Sequence, residues 1–133
     1  MQVLIQRGQV WHAQVPYNDE VDESKVRPIV IVGWSDFGSK DDHNILVVPS
    51  STFGGDPSKA KSSDLSLADW KAAGLSAGSF IRTRRVMSLH PSMILWERKM
   101  LGTLIKSDWE AVLSGIGLMF ATTQYAAVPG ANV

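Results

Sequence analysis

The sequence predicts a mainly β domain, a small curled sheet or barrel with a short inserted helix and one amphipathic helix at its C-terminal end. Three observations lead there. The runs IVIVGW (29–34) and ILVVPS (45–50) are almost wholly apolar and β-branched, which suits strands covered on both faces. Val10 to Val15 alternates, with Trp11, Ala13 and Val15 on one side. A clear helical stripe appears only near the end, in Trp109, Val112, Leu113, Ile116 and Phe120.

Each element follows from local chemistry. Between the two apolar runs, SDFGSKDDHN carries turn residues and predicts antiparallel neighbours joined by a surface loop. SLADWKAAGL (66–75) reads as a short helix, with Asp64 or Ser66 as its cap and Gly74 as a left-handed stop. GSFIRTRRVMSLH (78–90) returns to strand character. As a regular strand it would place Phe80, Arg82, Arg84 and Val86 on one face and Ile81, Thr83, Arg85 and Met87 on the other. MLGTL (100–104) reads as a last short strand. Ser107 to Glu110, SDWE, reads as a capping box opening the terminal helix. Gly115 and Gly117 weaken that helix by about 1 kcal/mol each relative to alanine, so packing must hold it. Leu118 and Met119 widen its apolar surface towards deep burial or a partner.

At 133 residues the chain has the size of one domain and one core, expected over 1–125 with a tail at 126–133. Thirteen Lys and Arg balance thirteen Asp and Glu, so any polyanion site must be local and not a whole-protein field. The absence of cysteine excludes a disulfide framework, a Cys-ligated zinc and a cysteine nucleophile. Three scattered histidines make a metal site an unfavoured reading, and no cofactor is expected. The N-terminus lacks a signal-length apolar run and no stretch reaches membrane-spanning length, which predicts a cytoplasmic protein without membrane contact.

No phosphate-binding loop, dinucleotide fingerprint, zincin helix or nucleophile elbow is present. The chemistry must therefore come from a constellation. Its candidates are Arg27 before Pro28 at the mouth of an apolar strand, Ser50, Ser51 and Thr52 after Pro49, Arg82 and Arg84, and the acidic loop DEVDE (19–23). Each has a structural alternative. Arg27 also reads as a strand-edge ion-pair partner, the hydroxyl cluster as a turn, and the acids as a solvated loop. Arg84 and Arg85 read equally as partners of those acids across a sheet. The five tryptophans read as core or interface before base-stacking platforms.

RGQVWHAQVP, then VRPIVIV, ILVVPSST, GSFIRTRRVMSLH and MLGTLIKSDWEAVLSGIGLMF resemble, in order and spacing, the MazF/PemK-like toxins of type II toxin–antitoxin systems. The resemblance covers about residues 7 to 120. It implies an SH3-like barrel with a terminal helix, a homodimer, RNA as substrate and a cognate antitoxin protein as partner. Position by position, it implies Arg27 and Ser51 as the leading catalytic candidates and Arg82 as a further one. Asp22 and Glu23 fall where the family places an acid or histidine, and one of them is the candidate base. The flanking polar groups, Lys25, Ser50, Thr52, Arg84 and Arg85, are the candidate RNA contacts. This chain departs from better-known relatives in lacking a histidine in that loop and in carrying Arg84 where some relatives have an aspartate.

The implied reaction is metal-independent cleavage of single-stranded RNA by attack of a 2′-hydroxyl. It needs a base for that proton, stabilisation of the charge on the phosphorane, and a proton for the leaving 5′-oxygen. Arginine suits the middle role because its fork of donors reaches two phosphate oxygens and stays charged. A different class of reading is an inert SH3-like module that acts on a protein target, as gyrase poisons do, through the apolar end GIGLMFATTQY.

Overall fold

A computed structural model describes residues 3–16, 24–35, 44–120 and 124–131. Three long strands form its centre: β1 (Gln9–Pro16), β2 (Ser24–Trp34) and β3 (Ile45–Ser51). They pair antiparallel, β1 with β2 and β2 with β3, and the second ladder shifts register between Ile31 and Gly33. Short strands complete the sheet: β4 (Asp64–Ser66), β5 (Phe80–Arg82), β6 (Met87–Leu89) and β7 (Gly102–Thr103). The spatial order is β4-β5-β3-β2-β1-β7, and β6 also pairs with β3. Helix α1 (Lys106–Gly117) packs last. The architecture is the curled, mainly β arrangement that the sequence predicts.

The two apolar runs are buried on both sides, and so the expected single core is two clusters. One face gathers Trp11, Ala13, Val15, Ile29, Ile31 and Val47 with Leu89 and Ile94. The other gathers Val10, Val30, Val48, Ile81 and Leu104 with Val112 of α1. Strand alternation produces this division, since consecutive residues of one strand point to opposite faces. The tryptophans serve packing: Trp11 meets Trp96 edge-on with ring centroids 4.9 Å apart, and Trp109 lies against Gly8.

Three local expectations differ from the structure. Residues 78–90 do not form one strand, because Thr83–Arg85 make a 3₁₀ turn between β5 and β6. Both short strands pair with β3, β5 at Ser50 and Ser51 and β6 at Ile45 to Val47, and the interruption faces the step that contains Pro49. Proline gives no ladder donor there. The arginines consequently do not alternate as a regular strand would place them.

Residues 68–74 form a turn and not the inserted helix expected over 66–75, Ser66 belonging to β4. The N–H of Leu75 bonds to the Trp70 carbonyl at 3.0 Å and that of Gly74 to Lys71 at 2.9 Å, a Schellman closure with Gly74 at φ +79°. Gly74 is thus the left-handed stop, but it closes the segment after about one turn, too little for a helix to propagate.

The Ser107–Glu110 capping box does not form either. Helix α1 begins at Lys106, with Ile105 in the cap position and no side-chain cap bond. Asp108 instead turns inward, only 3% exposed, and accepts the N–H groups of Ala68 and Asp69 at 2.9 Å each. Of the predicted stripe, Val112 is fully buried, Trp109 and Ile116 pack against the second core, and Phe120 is 77% exposed.

Candidate active site

Arg27 pairs with Ala13 across β1. On its other side the β2–β3 ladder runs Ile31 to Val47, Val30 to Val48 and Ile29 to Pro49, where the paired register ends. The Ser50 hydroxyl donating to the Pro28 carbonyl at 3.1 Å holds the two strands together at the next step. Beyond that step Arg27 and Ser51 both line one groove, Arg27 from the β2 face that alternation gives it. Ser51 pairs in turn with Phe80 of β5. The same face further along β2 carries Ile29 and Ile31, both fully buried. Arg27 ends that row at its partly exposed end, so its charge is not carried into the core.

Adjacent hydroxyls have separate tasks because a strand alternates. Ser50 is 4% exposed, and its proton is engaged by Pro28. The Ser51 oxygen accepts the N–H of Phe53 at 3.0 Å, which leaves its proton available to a ligand. Thr52 is exposed. Beyond it the backbone turns sharply through the left-handed region, with φ of +53° at Phe53, +66° at Gly54 and +85° at Gly55. A side-chain-bearing residue adopts this conformation at a cost, and Phe53 is held there by an edge-on contact with Phe80 at 5.6 Å between centroids.

An open groove of about 330 Å³ results, lined by Lys25, Arg27, Ser51, Thr52 and Gly54, with Ser76 and Ser79 opposite. Ser50 also borders it. Arg27 lines a second, narrow cleft together with Arg82 and Arg85. Arg82 is fixed from two sides. Its Nε lies 3.4 Å from Asp64 Oδ1, and its guanidinium sits 5.3 Å from the centre of the Phe53 ring. Arg84 lies apart from the groove, in a hollow formed with Lys61, Ser63, Asp64, Arg82 and Arg85.

The structure thus brings Arg27, Ser51, Thr52, Ser50 and Lys25 to one groove, and places Arg82 and Arg85 on its flank. Asp22 and Glu23 lie outside the described residues. Phe53, Ser76 and Ser79 were not singled out from the sequence, and Asp64 only as a helix cap. The Gly-Gly pair after Phe53 marks a sharp turn there, but nothing local links Asp64 to Arg82, eighteen positions on. Among the described residues no three His, Asp or Glu side chains converge as a metal site would require. No helix among them is long and apolar enough to cross a membrane.

Comparison with known proteins agrees with this geometry. Residues 6–120 match the family model of the PemK-like, MazF-like toxin of type II toxin–antitoxin systems. No curated protein matches the sequence. Among solved structures, an endoribonuclease in complex with its cognate antitoxin, from a mycobacterial species, superposes with a TM-score of 0.60 at 12% identity, over 92% of this chain and 100% of that one. MazF-mt6, a toxin of Mycobacterium tuberculosis, gives 0.57 at 18% identity, over 84% and 95%. MazF from Deinococcus radiodurans gives 0.63 at 11% identity, over 91% and 100%. At such identities the superpositions establish the shared fold.

Proposed function

Because this chain belongs to the PemK-like, MazF-like toxins of type II toxin–antitoxin systems, we propose that it is an endoribonuclease that cleaves single-stranded RNA at a short sequence motif. The observation that carries the proposal is the meeting of Arg27 and Ser51, a cation and a hydroxyl with an available proton, in the lining of one open groove.

In this reading the 2′-oxygen of the substrate attacks phosphorus, the bond to the 5′-oxygen breaks and that oxygen takes a proton from water in the open groove, leaving a 2′,3′-cyclic phosphate and a 5′-hydroxyl. Arg27 donates to the nonbridging oxygens as they gain charge, and needs no metal ion to do so. Ser51 donates its proton to a nonbridging oxygen, its own oxygen being oriented by the Phe53 N–H. Arg82, held by Asp64, adds positive potential from the flank. Asp22 or Glu23 is assigned the proton of the attacking hydroxyl. The 2′-hydroxyl requirement makes RNA the substrate and DNA not. A homodimer held in check by a cognate antitoxin, in the cytoplasm, completes the proposal.

The test is incubation with a long single-stranded RNA in EDTA, with mapping of the cut ends. Recurrent cuts bearing 2′,3′-cyclic phosphates are expected. Arg27→Ala should lower kcat/KM by about 10² to 10³, the usual effect of losing one transition-state donor. Wild-type rates from a folded Arg27→Ala protein would remove Arg27 from the mechanism. Intact RNA from the folded wild type would favour the second reading, a binding module acting on a protein target, which the exposure of Leu118, Met119 and Phe120 supports.

A further inference from the structure

The 3₁₀ turn at Thr83–Arg85 creates a hollow of about 220 Å³ whose wall is unusual for a chain with no net charge. Among the described residues, four cationic side chains, those of Lys61, Arg82, Arg84 and Arg85, line it together with one carboxylate, Asp64. That carboxylate is already engaged. Its side chain is 4% exposed, one oxygen accepts the Lys61 N–H at 2.8 Å, and the other lies 3.4 Å from Arg82 Nε. The walls are also tied together, since the Thr83 hydroxyl donates to the Ser63 carbonyl at 3.1 Å. Lys61 and Arg84, both exposed, add positive charge beside the Arg82–Asp64 pair, and an anion placed between them relieves their repulsion.

The position of the hollow indicates which anion. Arg82 and Arg85 line it and also line the narrow cleft that Arg27 borders. The two places thus share a continuous cationic surface.

We propose that the Lys61–Arg84 hollow is a second phosphate subsite, which holds a non-scissile phosphodiester of the same RNA strand whose scissile phosphate lies at Arg27 and Ser51. This rests on the ribonuclease reading above. In such an arrangement, strand passing over Arg82 and Arg85 reaches Lys61 and Arg84, so RNA long enough to do so binds more tightly than RNA that ends at the groove. The Arg84 position then serves substrate binding in this chain and not proton transfer.

The experiment compares wild type with the double variant Lys61→Gln, Arg84→Gln and with the charge-conserving Lys61→Arg, Arg84→Lys. Binding of labelled single-stranded oligoribonucleotides, short and long, is measured across a salt series, and cleavage of the long RNA is followed in parallel. The Gln variant should lose about 0.7 from the slope of log K against log salt, one phosphate's share for a single strand. Its KM for long RNA should rise about tenfold, while short RNA binds as to wild type, and the charge-conserving variant should restore both. Unchanged slope and KM in the Gln variant would overturn the subsite while leaving the ribonuclease reading intact if wild type still cleaves. If wild type leaves RNA uncut but the Gln variant still loses slope, the ribonuclease reading falls and the subsite stands as an RNA-binding site. Retention of RNA binding with loss of oligoglutamate binding would reassign the hollow to an acidic protein partner and overturn the proposal.

Discussion

His12 shows how one buried atom sets a pH dependence. It lies in β1 opposite Pro28, and its Nδ1 is buried without a hydrogen-bond partner among the described residues. Burial first, and then the positive charge of Arg98, hold its pKa below the ordinary histidine value. Between that lowered value and about 6.5, the unfolded chain takes up a proton that the native chain does not. The contribution of neutral His12 to stability is therefore complete above about pH 6.5 and is lost as pH falls through the lowered value. Urea midpoints measured from pH 7 downward should fall more steeply for wild type than for His12→Gln, and parallel curves would exclude this role. At the same scale, Arg27 and Ser51 were legible as candidates because Arg27 precedes Pro28 and Ser51 follows Pro49 by two positions, at the ends of apolar strands where the family resemblance places them. The division of labour between Ser50 and Ser51 was not, because it depends on which face of the sheet each residue meets.

The elements are joined by contacts remote in sequence, of which Asp108 is the clearest. Its carboxylate binds two backbone N–H groups forty and thirty-nine positions earlier, so α1 and the 68–74 turn secure each other. Asp108→Ala should cost about 2 kcal/mol, the scale of hydrogen bonds to a charged acceptor, read as a lower urea midpoint; an unchanged midpoint would show that water replaces the carboxylate. A second join lies at Gly74, where a Cβ would overlap the Leu101 carbonyl oxygen. Local pattern suggested a capping box at Ser107 and a helix at 66–75. The tertiary partner of Asp108 and the early stop at Gly74 produced a different start for α1 and a single turn.

Across the whole molecule, charge is balanced in number but not in position. The cationic groups at Arg27, Arg82, Arg84, Arg85 and Lys61 are concentrated around one end of β2, β3 and β5. RNA association should accordingly show a shallow salt dependence, with a slope no steeper than about 3, or four phosphate contacts on a single strand. A much steeper slope in a salt titration would require a broader basic surface than this one. The same fold leaves an apolar region at the end of α1, where Leu118, Met119 and Phe120 are exposed.

By itself the sequence determined the class of fold, the three long strands, the terminal helix and the family, because these rest on apolar periodicity and on short segments in a fixed order. It also singled out Arg27 and Ser51. Only the tertiary structure decided that these two line one groove, that Arg82 is held by Asp64, and that Arg84 shares a hollow with Lys61. Register, sheet curl and the break opposite Pro49 join residues far apart along the chain, and local sequence pattern carries no term for such pairings.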